Sequence, residues 1–195
     1  MPDTSLPPQR SCMLSSPLEQ TQQWFEKVVL GLNLCPFAHR PARQQQIHFT
    51  VSDSVTEAAL QQELLQEVQH LANIPVGQRE TTLLIVPVLL CDFYDYQFFM
   101  EEANRLLKRE QWQGVFQLAS FHPNYCFAGS APEDDANLTN RSPFPLIHLL
   151  RESSLSEVLE QVQHPHEIPE NNIQRVCALS AEEKQQLFPY LSHTE

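Results

Sequence analysis

The sequence predicts a three-layer α/β domain with a small, mainly parallel sheet of three or four strands and extra C-terminal helices. Three observations carry this. Short β-rich runs alternate with amphipathic helical repeats in the order α-β-α-β-α-β, which implies parallel pairing through right-handed crossovers. The second run, Thr81–Leu90, is apolar on both faces, as a strand covered by helices on each side must be. After the third run comes a polar stretch, His122–Arg141, and then a series of short helical patterns.

The first helix begins at Ser16, with Pro17 at the first helical position and Glu19 completing a capping box. Trp24, Phe25, Val28 and Leu32 give its apolar stripe, which ends near Leu34. Gln46–Ser52 alternates Ile47, Phe49 and Val51 with His48 and Thr50, the pattern of strand one. Val55–Asn73 is strongly periodic, with Leu60, Leu64, Val68 and Leu71 on one side. Thr81–Leu90 is strand two. Asp92 caps a helix running to about Trp112, buried through Tyr96, Phe99, Ala103 and Leu106. Gly114 ends it, and Val115–Phe121 is strand three. Ser142-Pro143 marks a helix start, so Pro143–Arg151 is expected to be helical. Read with period two instead, Leu146, His148 and Leu150 would share one face of a fourth strand. Further helices are expected over Ser154–Val162, with Ser154 and Glu157 as capping box, over Glu170–Leu179, and over Ala181–Tyr190, with Ser180 and Glu183 as capping box.

A chain of 195 residues, 42% hydrophobic and 18% charged, makes one conventional core. Residues 1–15 read as a flexible Pro- and Ser-rich tail and 16–190 as a single α/β domain. Four glycines exclude a phosphate-binding motif built on several of them. A net charge of −12 disfavours nucleic acid as a partner. Five scattered cysteines, no apolar leader and no apolar run near the ~20 residues of a membrane span point to a soluble cytoplasmic protein. No motif names a cofactor.

In open α/β sheets ligands bind beyond the carboxyl ends of the strands. Here that rule selects Ser52-Asp53, Cys91-Asp92 and His122. The loop that follows His122 is about twenty residues long, a length that is often functional. His122 can serve as a general base, with Asn124 and Tyr125 beside it; it is also the pattern of a structural histidine at a strand end. Asn140, Arg141 and Ser142 precede the expected helix at Pro143, whose free N–H groups with the Arg141 fork would make an anion site. Pairing of Arg141 with Glu133, Asp134 or Asp135 is the plainer alternative. His148 and Arg151 follow one turn on, where His148 also fits a satisfied core histidine and Arg151 also fits a partner for Glu152. Cys35-Pro36 places a thiol at a helix start, a setting that can stabilise a thiolate nucleophile. His164-Pro-His166-Glu167 has metal-ligand composition, but alternate histidines project oppositely on an extended chain, and the segment reads as a solvated linker. No metal site is therefore assigned, and a zinc set of Cys35, Cys126, His122 and His148 is the weakest option.

Three spaced motifs carry a resemblance. They are Trp24 with Val28-Val29 and Leu32-Asn-Leu-Cys-Pro-Phe-Ala38; Phe121-His-Pro-Asn-Tyr125 with Phe127-Ala-Gly129; and Asn140-Arg-Ser-Pro143 with Pro145 and Ile147-His-Leu-Leu-Arg-Glu152. Together they resemble the bacterial family called domain of unknown function 1415, over about residues 20–180. The resemblance implies a bacterial, soluble, single-domain protein and transfers no reaction.

Two functions from different classes follow. One is a hydrolase or transferase acting on a small anionic metabolite in a pocket of the 122–142 loop, with Arg141 holding the anion, His122 as acid or base, and Cys35 or His148 as further catalytic groups. The other is a non-catalytic binding or regulatory module. Convergence of His122, Arg141, His148 and Arg151 on an open cavity favours the first; burial in a saturated hydrogen-bond network favours the second.

Overall fold

The structure is a computed structural model that describes residues 15–159 and 164–193. Ser16 starts α1 (Pro17–Trp24) with a reciprocal capping box: its hydroxyl accepts the Glu19 N–H at 3.2 Å, and the Glu19 carboxylate accepts the Ser16 N–H at 2.8 Å. The helix continues as a π-helical turn, Phe25–Leu30. Gly31 closes that turn, because a Cβ there would collide with the Lys27 carbonyl oxygen. A short helix, α2 (His39–Arg43), leads into β1 (Ile47–Val51). Thr56 caps α3 (Glu57–Asn73), which returns the chain to β2 (Thr81–Ile85). Asp92 accepts the N–H groups of Tyr94 and Asp95 to start α4 (Phe93–Arg109), and β3 (Phe116–Phe121) follows Gly114, whose φ of +84° suits glycine.

The expected helix over Pro143–Arg151 is instead a strand, β4 (Leu146–Arg151). Both sides of this short apolar run are covered, with Leu146 packed on one layer and Ile147 and Leu149 on the other, so period two prevails. Its backbone pairs with β2 on one side and β3 on the other, antiparallel to both. Ser142 does not cap a helix; its hydroxyl donates to the Phe144 carbonyl at 2.6 Å. The strand order is β1-β2-β4-β3, with only β1 and β2 parallel neighbours, so the sheet is mixed rather than mainly parallel.

The C-terminal helices are α5 (Glu152–Leu159), α6 (Ile168–Cys177) and α7 (Ala181–Leu187). Helix α5 starts two residues before the expected Ser154 cap, because it follows β4 without a break and the Glu152 N–H bonds to the Val115 carbonyl. The Ser180–Glu183 capping box is present. The expected tail up to 14 and the stretch of helix to Val162 lie outside the described residues.

Helices α3 and α4 cover one face of the sheet, against Leu84, Val86, Phe116, Ile147 and Leu149. Helix α1, the π turn, α6 and the end of α7 cover the other, against Leu83, Ile85 and Leu146. Among the described residues no helix is long and apolar enough to cross a membrane. One buried hydroxyl fastens β3 to β4: Tyr96 donates to the Leu146 carbonyl at 2.6 Å and accepts the Phe121 N–H at 3.0 Å. Burial pushes this phenol well up from its usual range, so it remains a donor. Tyr96→Phe strands both backbone groups away from water, and about 2–4 kcal/mol of stability should be lost. A lower urea midpoint at unchanged denaturant slope is the expected reading.

Candidate functional site

The carboxyl ends of β1, β2 and β3 share one rim with the amino end of β4, since Ile85 and Phe121 both pair with Leu146. At that rim Ser52 is buried, and its hydroxyl and that of Ser54 both bond Glu63. This polar knot joins the end of β1 to α3.

His122 is fully buried on the α4 side. Its ring lies 5.3 Å from that of Phe93 and 5.0 Å from that of Tyr96, centre to centre. Its Nδ1 accepts the Asn124 N–H at 3.0 Å, so Nε2 carries the hydrogen and donates to the Leu90 carbonyl at 2.9 Å. Burial lowers its pKa, with the Leu90 carbonyl acting in the opposite sense. The ring is neutral and both nitrogens are used. Leu90 itself has φ +60°, a left-handed conformation costly for leucine, and the His122 bond holds its carbonyl there.

The loop after His122 is organised by a residue the sequence did not single out. Buried Asn137, in the 3₁₀ turn Asp135–Asn140, accepts the Phe127 N–H at 2.9 Å and donates to the Ala131 carbonyl at 2.8 Å. One asparagine in a polar loop carries no signal of this role. Asn140 reaches back to the Ser120 carbonyl at 3.1 Å, and Tyr125 packs on Phe93 and Phe127. Asn124 contributes its backbone N–H to His122.

Arg141 lies on the opposite flank. Its carbonyl accepts the Trp24 indole N–H at 2.9 Å and the Tyr190 hydroxyl at 3.1 Å. Its Nε donates to the Tyr125 carbonyl at 3.2 Å and Nη2 to the Pro132 carbonyl at 2.5 Å, while Nη1 has no hydrogen bond among the described residues. Burial lowers the guanidinium pKa, with Cys126, Tyr190, Glu133 and Asp135 acting against it. The side chain lines a cleft of about 400 Å³ between the 133–141 segment and α7, with Leu138 and Phe188 in its walls. Asp134 caps the 3₁₀ turn and Asp135 pairs with Lys184 at 2.5 Å, so two of the three acids beside Arg141 already have partners. The α7 wall of this cleft, Lys184 and Phe188, was likewise invisible in the sequence.

The structure does not bring the other candidates to this cleft. His148 sits in mid-strand, opposite Leu83 and Ala119. The Thr81 hydroxyl donates to the Leu149 carbonyl at 2.6 Å, so it accepts from His148 Nε2, also at 2.6 Å. Burial lowers the pKa of His148 to about 4. Arg151 lies at the far end of β4 and donates to the carbonyls of Leu71, Ile74 and Arg79, a cation satisfying the C-terminal end of α3. Cys35 precedes the 3₁₀ turn Pro36–Ala38 and packs in the α1 layer, where burial pushes its thiol up and disfavours the thiolate. Among the described residues Cys35, Cys126, His122 and His148 do not form a metal-ligating group.

Searches of curated proteins and of solved structures return no match. A family profile does match, over residues 16–186, close to the extent of the resemblance at about residues 20–180. On that match the chain belongs to the family described as protein of unknown function (DUF1415).

Proposed function

We propose that this chain is a binding module for a small molecule bearing a carboxylate or phosphate, seated in the cleft between the 133–141 segment and α7. The observation that carries the reading is Arg141. Its guanidinium is partly desolvated and fixed by two backbone carbonyls, while Nη1 makes no hydrogen bond among the described residues and stays open to a ligand, at the wall of a cleft of about 400 Å³. A fixed, under-solvated cation is a strong anion partner, and the volume suits a metabolite-sized ligand. Leu138 and Phe188 offer apolar contact to the rest of such a ligand.

Binding is favoured over hydrolase or transferase chemistry by the state of His122. A ring with both nitrogens bonded to backbone, on the opposite flank from Arg141, has no proton to exchange with a ligand in the cleft. The four described cysteines are free thiols, which fits a reducing cytoplasmic setting. The net charge of −12 fits a partner other than nucleic acid.

A thermal-shift screen against carboxylates and phosphates tests the reading. A ligand that raises the melting temperature of the wild type should fail to do so with Arg141→Ala. That change also loosens the loop, so Gln185→Glu is the second variant; it adds a negative charge to the cleft lining at an exposed position. Retention of the shift in both variants would refute the assignment.

A further inference from the structure

Among the described residues one group of three metal-ligating side chains comes together: His164, His166 and Glu167, with their ligand atoms all within 4.8 Å of one another. The sequence argument against such a site assumed an extended chain. The backbone is curled instead. His164 is left-handed, at φ +59° and ψ +54°, and Pro165–Glu167 forms a 3₁₀ turn. In a 3₁₀ turn residues three apart eclipse, which stacks His164 over Glu167. His166 then faces both: its ring is edge-on to that of His164, with centroids 5.8 Å apart. Glu167 supplies the third ligand. Its Oε1 lies 3.9 Å from His164 Nδ1 and 3.8 Å from His166 Nε2.

Packing does not account for this arrangement. The three side chains are 66%, 75% and 55% exposed, in the order of the chain, and neither ring makes a hydrogen bond with the described residues. A non-glycine residue held left-handed before proline is strained, and strain of that kind gathers at ligand clamps. An ion bonded at about 2.0–2.2 Å holds neighbouring ligands roughly 3.3 Å apart. The two Glu167 distances, 3.9 and 3.8 Å, already come close to that. All the ligand atoms lie within 4.8 Å of one another, a spread that rotation of exposed side chains can close. Two imidazoles and a carboxylate suit zinc or copper(II), not the all-oxygen preference of magnesium or calcium. The chain's net charge of −12 adds a favourable field for a dication.

We propose that the turn at 164–167 is a surface site for one divalent transition-metal ion of the zinc and copper kind, held by His164, His166 and Glu167 and completed by water. The site is independent of the Arg141 cleft. Binding would tie the entry of α6 to the residue that precedes its leading turn.

Calorimetric titration of the full chain with zinc chloride and with copper(II) chloride tests this, with magnesium chloride as the control. The wild type should bind one more zinc or copper ion per chain than the His164→Ala/His166→Ala double variant, and magnesium should give no heat at the site. Glu167→Ala should weaken the same event. All three positions are exposed, so the metal-free melting temperature should not change. Sub-stoichiometric copper(II) should also broaden two histidine resonances first, the two that disappear in the double variant. Failure of the wild type to bind zinc or copper, or binding with equal stoichiometry and affinity in the double variant, overturns the proposal.

Discussion

His122→Ala should lower the unfolding free energy by about 3–5 kcal/mol. The change leaves the Asn124 N–H and the Leu90 carbonyl without their partner, at about 1–3 kcal/mol each, and removes a buried ring packed on Phe93 and Tyr96. It also frees Leu90 from the bond that holds it left-handed. For a chain of this size the corresponding fall in melting temperature is on the order of 10 °C. Urea denaturation followed by circular dichroism gives the value. His122→Gln, which keeps a donor and an acceptor on one side chain, should lose less. A loss under about 1 kcal/mol in the alanine variant would contradict the structural role and reopen a chemical one.

Acid should weaken the fold through His148, and the sign follows from its lowered pKa of about 4. Above about pH 6.5 the ring is neutral in both folded and unfolded chains, and its contribution to stability is complete. Between that value and about 4, the unfolded chain takes up a proton that the folded chain refuses. Each pH unit in that window removes about 1.4 kcal/mol, for a total of roughly 3 kcal/mol. Below the window His148 removes nothing further. The cause is burial, with Nε2 committed to Thr81 and the ring against Phe121. Burial lowers His48 and His122 in the same direction, so they steepen the same slope. Unfolding free energies of wild type and His148→Gln, compared at pH 7 and pH 4.5, isolate the His148 share. The variant should lose markedly less on acidification, and equal losses would remove His148 from the account.

Much of the scaffold was legible in the sequence because it is written in local periodicity. Leu60, Leu64, Val68 and Leu71 are all buried along α3, and Ser16, Asp92 and Ser180 cap where their side chains allow it. Strand β4 was not legible in the same way. Six mostly apolar residues behind Ser142-Pro143 satisfy a local helix rule, and only pairing with two distant strands decides against it. That one substitution of period rearranges the site. On a helix, His148 and Arg151 would share a face; on a strand, an odd separation sends them to opposite faces. His148 meets Phe121, whereas Arg151 stands over Phe116. His122 and Arg141 are parted in a similar way. They are close along the rim, but His122 turns toward α4 and Arg141 toward α7. The loop position was readable from its length and its place after β3. The clasp by Asn137 and the α7 wall were not, because both depend on contacts across sequence distances that no local pattern encodes.

The strand order also constrains how the chain can assemble as it is made. Among the described residues strand β3 pairs with β4 alone, and β4 is the last strand in chain order. During translation β1 and β2 can join over α3 while β3 emerges with both edges bare. It must wait some twenty-five residues for the central strand to thread between β2 and itself. The nascent polypeptide therefore passes through an interval with an open sheet edge, when a chaperone has most to shield, and a ribosome stalled before position 151 would release a product that cannot close its sheet.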